Sequence, residues 1–146
     1  MTGNVWSQMQ LALAAIQHMG PGGRIINISS VASKRANTDP LVVYGASKAA
    51  LDSITRSLAS IFATSKKITV NGVHVGPTAT DTLRSAFEKL PQTLIDKMVE
   101  RPSAEKRLGE VDDVVGIVSF LASGEARWIN CNLIPANGCS MLELQG

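Results

Sequence analysis

The sequence predicts an α/β fold, a partial Rossmann-like doubly wound parallel sheet of about three strands with flanking helices. Three observations predict it. Segments with helical apolar periodicity alternate with short β-branched runs in the order helix, strand, helix, strand, helix, strand. Each stretch between consecutive strands is long enough for the crossover that parallel pairing needs. Finally, 146 residues that are 45% hydrophobic and 18% charged suffice for one packed domain, residues 1–146, which at this size buries about 68 to 70% of its unfolded surface without metals or disulfides.

The elements follow in order. Trp6, Met9, Leu13, Ile16 and Met19, with Ala12 beside them, recur at steps of three and four and predict a helix with one buried face. Gly20, Pro21, Gly22 and Gly23 stop it as turn residues. Arg24 to Ile28 is short, branched and apolar on both faces, as an interior strand of a covered parallel sheet would be, and Ser29 and Ser30 end it. After the polar loop around Asn37 to Pro40, a helix is expected from about Tyr44 to Thr64, its buried stripe formed by Leu51, Ile54, Leu58 and Ile61. Ile68 to Val75 has the β-branched content of a strand, closed by Gly76 and Pro77. Helical pieces are expected at Thr82 to Lys89 and Gln92 to Glu100, bounded by Pro91 and Pro102 and placed as a substrate-side flap. Val111 to Ser123 reads as a long helix with Asp112 and Asp113 in its first turn, where acids suit the helix dipole. Asn132 to Ala136 reads as a last strand at the sheet edge, because Pro135 cannot donate to a ladder on both sides.

Charge and composition exclude several classes. The 14 basic and 12 acidic side chains are scattered, with no basic block longer than a pair, so no nucleic-acid partner is expected. No apolar run approaches the ~18 residues of a membrane span. The first basic residue is Arg24, too late for a secretory leader, so an intracellular, cytoplasmic location is expected. Cys131 and Cys139 then stand as free thiols. Their spacing makes no Cys-x-x-Cys site and His18 and His74 are isolated, each read as a surface or satisfied core residue, so no metal is expected.

The chemistry centres on Tyr44-Gly45-Ala46-Ser47-Lys48, where a phenol and an ammonium lie one helical turn apart on one face. A free tyrosine ordinarily titrates near ~10, and a neighbouring cation favours the phenolate, which fits Tyr44 to exchange a proton with a carbonyl or hydroxyl oxygen. Ser30 ends a parallel strand, and open α/β sheets bind ligands beyond the carboxyl ends of their strands. Its hydroxyl either holds the same oxygen or satisfies loop backbone; the residues alone leave both open.

Those segments, with Gly23 to Ser30, Val70 to Asp81, Arg107 to Glu110, Asp113-Val114 and Asn137-Gly138, resemble the C-terminal part of a short-chain dehydrogenase/reductase through nearly the whole chain. The resemblance implies NADP or NAD as cofactor and hydride transfer to or from a small-molecule carbonyl or alcohol. It implies that Ser30 steadies the substrate oxygen, that Tyr44 gives or takes the proton, and that Lys48 favours the phenolate and binds the nicotinamide ribose. Asn4 takes the place of the family's asparagine in a water relay, or is a polar residue that starts a helix. Gly76, Thr78 and Thr80 inherit contacts to the nicotinamide carboxamide and nearby phosphate.

Three local departures accompany the match. Val75 stands where the family usually has proline, the interval from Ser30 to Tyr44 is one residue longer than usual, and Asn130-Cys131-Asn132 replaces a typical Thr-Gly-Gln. The large departure is upstream: the Gly-x-Gly-x-x-Gly loop and the residue that chooses between NAD and NADP are absent, and Gly20, Gly22 and Gly23 run helix to strand, the reverse of a phosphate-binding turn. The dinucleotide-binding N-terminal half is thus expected to be missing, with weak or no NAD(P)H binding by this chain alone. The strand at Arg24 would lose a neighbour, and its bare edge predicts a homo-oligomer or self-association. A serine hydrolase is excluded, since Gly45 to Ala49 lacks a preceding strand and a second glycine and Ser103 to Lys106 lacks the other segments of its site. The alternative that stays open is a truncated, non-catalytic relative acting as a binding or oligomerisation module.

Overall fold

The computed structural model describes residues 1–39, 41–88, 90–99 and 105–139, with only the backbone of 94 and 97–99. Its elements run α1 (Ser7–His18), β1 (Arg24–Ser30), α2 (Leu41–Lys66), β2 (Thr69–Val75), α3 (Asp81–Phe87), α4 (Gln92–Val99), α5 (Val111–Ala122) and β3 (Leu133–Ala136). The three strands form one parallel sheet in the order β1-β2-β3. The expected α/β architecture is what forms, and β3 is an edge as Pro135 foretold.

β2 is central and buried along almost its whole length, and its alternation divides the core in two. Val70 faces α1 and α2, where Ile16, Leu58, Ala59 and Ile68 close around it. Val73 faces the other side, against Leu121 of α5 and Ala126. Burying an aliphatic side chain of this size contributes roughly 1.5–3 kcal/mol, so these two clusters hold helices on both faces of the sheet. Gly72 lies between them, where a Cβ would stand 2.6 Å from Leu133 Cδ2 and push that side chain aside. Gly22 turns the chain into β1 with φ +86°, a conformation open to glycine.

Several expectations need correction. Trp6, expected on the buried face of the first helix, is 57% exposed. Thr2–Trp6 forms a wider π-helical turn, so the 3.6-residue period does not extend back through it. α2 starts at Leu41 rather than Tyr44, because Leu41 N–H already bonds to Thr38 O at 2.8 Å. Ile61, expected on the buried stripe, is 61% exposed; four residues separate Leu58 from Phe62, and it is Phe62 that packs on the core. β1, whose composition suits an interior strand, lies at the sheet edge with Ile28 46% exposed, the bare edge expected from its missing neighbour. The two short helices α3 and α4 form where expected, while Lys89, Glu100, Pro102 and Ser103 lie outside the described residues. Among the described residues no helix is long and apolar enough to cross a membrane.

Candidate active site

Parallel strands put their carboxyl ends on one rim. Ser30 closes β1, Gly76 follows β2 and Asn137 follows β3, so the residues singled out from sequence collect there. Ser30 is nearly buried, and its Oγ accepts the Ala32 N–H at 3.2 Å. The backbone reading of this hydroxyl is the one the fold shows: it caps the turn Val31–Lys34 with its oxygen, and its own hydrogen is left to donate elsewhere.

Tyr44 and Lys48 sit one turn apart in α2, with Lys48 Nζ 5.8 Å from the centre of the Tyr44 ring, inside the ~6 Å range of a cation–π contact. Tyr44 is 37% exposed and so open to solvent. Lys48 Nζ donates to Ile28 O at 2.8 Å, which ties α2 to the end of β1. Burial pushes the Lys48 ammonium below its ordinary range, and the negative charge of Asp52 opposes that shift. Gly45, between the two, lets the helix lie against the turn after β1, since a Cβ would fall 2.1 Å from Asn37 Nδ2 and 2.8 Å from Ala32 O. Asn37 in turn donates to Ala32 O and Arg35 O, which fixes the loop that leads from Ser30 to Tyr44.

Asn4 lies in the π-helical turn and is joined to the same cluster. Its Nδ2 donates to Ser47 Oγ at 3.1 Å, and Ser47 Oγ donates to Tyr44 O at 2.7 Å. Ser47, buried at the centre of this relay, is a residue that motif reading passes over, although it stands inside the Tyr44 to Lys48 segment. The loop after β2 is braced from two sides. Gly76 N–H bonds to Ala136 O, and a Cβ on Gly76 would lie 2.8 Å from Asn137 Cα. Thr78 bridges to Gly109, with Ala79 N–H on Gly109 O and Gly109 N–H on Pro77 O. Thr78 Oγ1 donates to Gly76 O, and Thr80 Oγ1 caps α3 by accepting Leu83 N–H.

Gly109 is held in turn by the start of α5. Glu110 and Asp113 form a reciprocal capping box, and Arg107 donates to both Asp113 oxygens, at 2.7 and 3.2 Å. Those hydrogen bonds, Arg107 first and the Glu110 N–H second, hold the Asp113 carboxyl down at about 2.

The described residues fit one end of a dinucleotide. A phenol, an ammonium and a backbone-braced Gly-Pro-Thr loop share the rim, the groups that the family resemblance sets against the nicotinamide end. No glycine-rich turn leads from a strand into a helix among them, so nothing here cradles a pyrophosphate.

The Enoyl-(Acyl carrier protein) reductase family model matches residues 1–138. The short chain dehydrogenase penD of Penicillium thymicola is 47% identical over 139 residues, covering 94% of this chain and 50% of that protein. The short chain dehydrogenase asqE of Emericella nidulans is 45% identical over 139 residues, covering 94% and 51%. The crystal structure of the angucycline C-6 ketoreductase LanV with bound NADP superposes with a TM-score of 0.83 at 34% identity, over 95% of this chain and 51% of that one. The chain thus spans about half the length of the curated relatives it matches. Sequence and fold agree in their assignment: the chain belongs to the short-chain dehydrogenase/reductase family.

Proposed function

We propose that the chain carries the catalytic, nicotinamide-facing part of an NADP- or NAD-dependent oxidoreductase that interconverts a small-molecule carbonyl and its alcohol. The observation that carries the proposal is the pairing of Tyr44 with Lys48 on one face of α2, at the rim where Ser30 ends β1. The bound cofactor supplies the hydride. Tyr44 Oη exchanges the proton with the substrate oxygen, with the Lys48 ammonium one helical turn away on the same face. Ser30 donates its remaining hydrogen to the same oxygen. Asn4 acts through Ser47, holding the turn of α2 that presents Tyr44, and Lys48 also meets the ribose. Gly76, Thr78 and Thr80 line the nicotinamide end, the two threonines using hydroxyls that already shape the loop. Binding of the whole dinucleotide requires the N-terminal half that the family resemblance implies, so residues 1–146 are read as one domain's catalytic portion.

The test is Tyr44→Phe in the chain joined to that half. Carbonyl turnover should fall by about 10²-fold or more, the usual worth of a positioned acid–base group, while NADPH binding stays within a few-fold. Unchanged turnover would remove Tyr44 from the chemistry, and a joined protein that binds no nucleotide would favour a non-catalytic module.

A further inference from the structure

The roles above leave one buried charge unused. Asp52 lies one turn beyond Lys48 on α2 and is 4% exposed, as hidden as Leu58 on the same stripe. Its carboxylate receives Ser29 Oγ at 2.5 Å from β1, His74 Nε2 at 2.8 Å from β2, and the Ser33 hydroxyl from the turn after β1. At that distance from a carboxylate oxygen, Nε2 must carry a hydrogen. Ser33 Oγ stands 3.3 Å from the same nitrogen. A nucleophilic Ser-His-Asp relay needs its serine and its acid on opposite nitrogens, so this cluster is no hydrolase site.

A carboxylate is costly to bury even when fully hydrogen-bonded, and Thr55 on the same stripe shows that a neutral residue packs there. What distinguishes Asp52 is what it joins. Ser29 precedes Ser30, Ser33 belongs to the turn against which Gly45 packs, His74 stands two residues before Gly76, and Asp52 itself follows Lys48. The titratable groups around the carboxylate are Lys48 from its own helix and His74 from β2; β1 and the turn bring hydroxyls.

We propose that Asp52 is a positioning residue of the active site, which pins the ends of β1 and β2 to α2 and holds the Lys48 ammonium charged in its partly buried place. This rests on the reading of Lys48 as the cation beside Tyr44. Burial by itself would raise the Asp52 carboxyl, but the bonds from His74, Ser29 and Ser33 outweigh it and keep the group ionised. That ionised carboxylate is the influence that opposes the desolvation of Lys48.

The experiment is competitive acylation of the 146-residue chain with acetic anhydride across pH ~7 to ~11, at submicromolar protein, with Lys48 read from its peptide by mass spectrometry. Asp52→Asn removes the charge and little else, because the amide can accept from Ser29 and donate to the other tautomer of His74. Lys48 should then lose its proton about one pH unit lower, a tenfold fall in proton affinity, with the remaining lysines unmoved. Asp52→Thr, a copy of the neighbouring Thr55, gives an independent reading should the Asp52→Asn chain not fold, and the same downward shift is expected. A Lys48 profile unchanged in either folded variant overturns the proposal. Turnover plays no part in the measurement, so that failure would leave the Tyr44→Phe test standing.

Discussion

Cys131 shows how a single backbone angle carries a stability prediction. Its φ is +62°, in the left-handed region, at the position where the family resemblance expects glycine in Thr-Gly-Gln. Hydrogen bonds around this bend hold it there: Cys131 N–H bonds to Val70 O, Asn130 Oδ1 accepts Val70 N–H, and Asn71 bonds to Ile129 O and Asn132 N–H. A side chain held there costs roughly 1–2 kcal/mol, partly offset by the greater freedom that glycine loses on folding. Cys131→Gly should therefore stabilise the chain by about 0.5–1 kcal/mol, seen as a raised denaturant midpoint at unchanged slope; a lowered midpoint would mean that the weak Sγ contact to Arg56 O outweighs the strain. This residue is legible because a family pattern names the missing glycine. Asp52 and His74 are not, since they meet across 22 residues of chain and nothing local says that a helix carboxylate faces inward. The signal is present all the same: Asp52 and Thr55 interrupt the stripe of Leu51 and Leu58 with polar groups, and a polar residue on a buried stripe requires a partner.

At the scale of elements, β2 and β3 are readable to within one residue and β1 to within two, its paired serines continuing the strand rather than ending it, because β-branched runs bounded by glycine or proline leave little latitude. Helix starts are less so. The π-helical turn before α1 and the early start of α2 both depend on backbone bonds, Val5 N–H to Met1 O and Leu41 N–H to Thr38 O, that side-chain periodicity does not encode. The start of α5 is the exception, with its acids visible in sequence and used as a cap in the fold. Because Asp113 titrates at about 2 when folded against an ordinary 3.8, the stabilisation it lends is complete above the ordinary value and is lost as pH falls toward 2. Asp113→Asn should lower the thermal midpoint at pH ~7 by a small amount, as befits an exposed ion pair. Thermal melts followed by circular dichroism should show that difference closing between about pH 4 and pH 2. A difference constant across that window would separate Asp113 from the capping of α5.

The whole molecule presents an unfinished surface. β1 lies at the sheet edge with Ile28 exposed, and Arg24 to Ser30 contains neither proline nor lysine to blunt strand addition. Val111, Val115 and Phe120 of α5 and Trp128 beyond it, the last 95% exposed, add apolar area of the kind that seeks a partner. The chain alone should therefore self-associate at tens of micromolar, giving light-scattering masses above 15.5 kDa after size exclusion. A sharply eluting monomer that binds no hydrophobic dye would show the edge to be protected. The register of the sheet has a kinetic consequence as well. Arg24 meets Thr69 across 45 residues, and Asn71 meets Asn132 across 61, so no pair of strands can be zipped from a short turn. Loop-closure entropy is spent before any ladder bond returns it. Local helices, α2 above all with its 26 residues, need no such closure, whereas the rim that gathers Ser30, Tyr44 and Gly76 exists only once strands so far apart in sequence have paired.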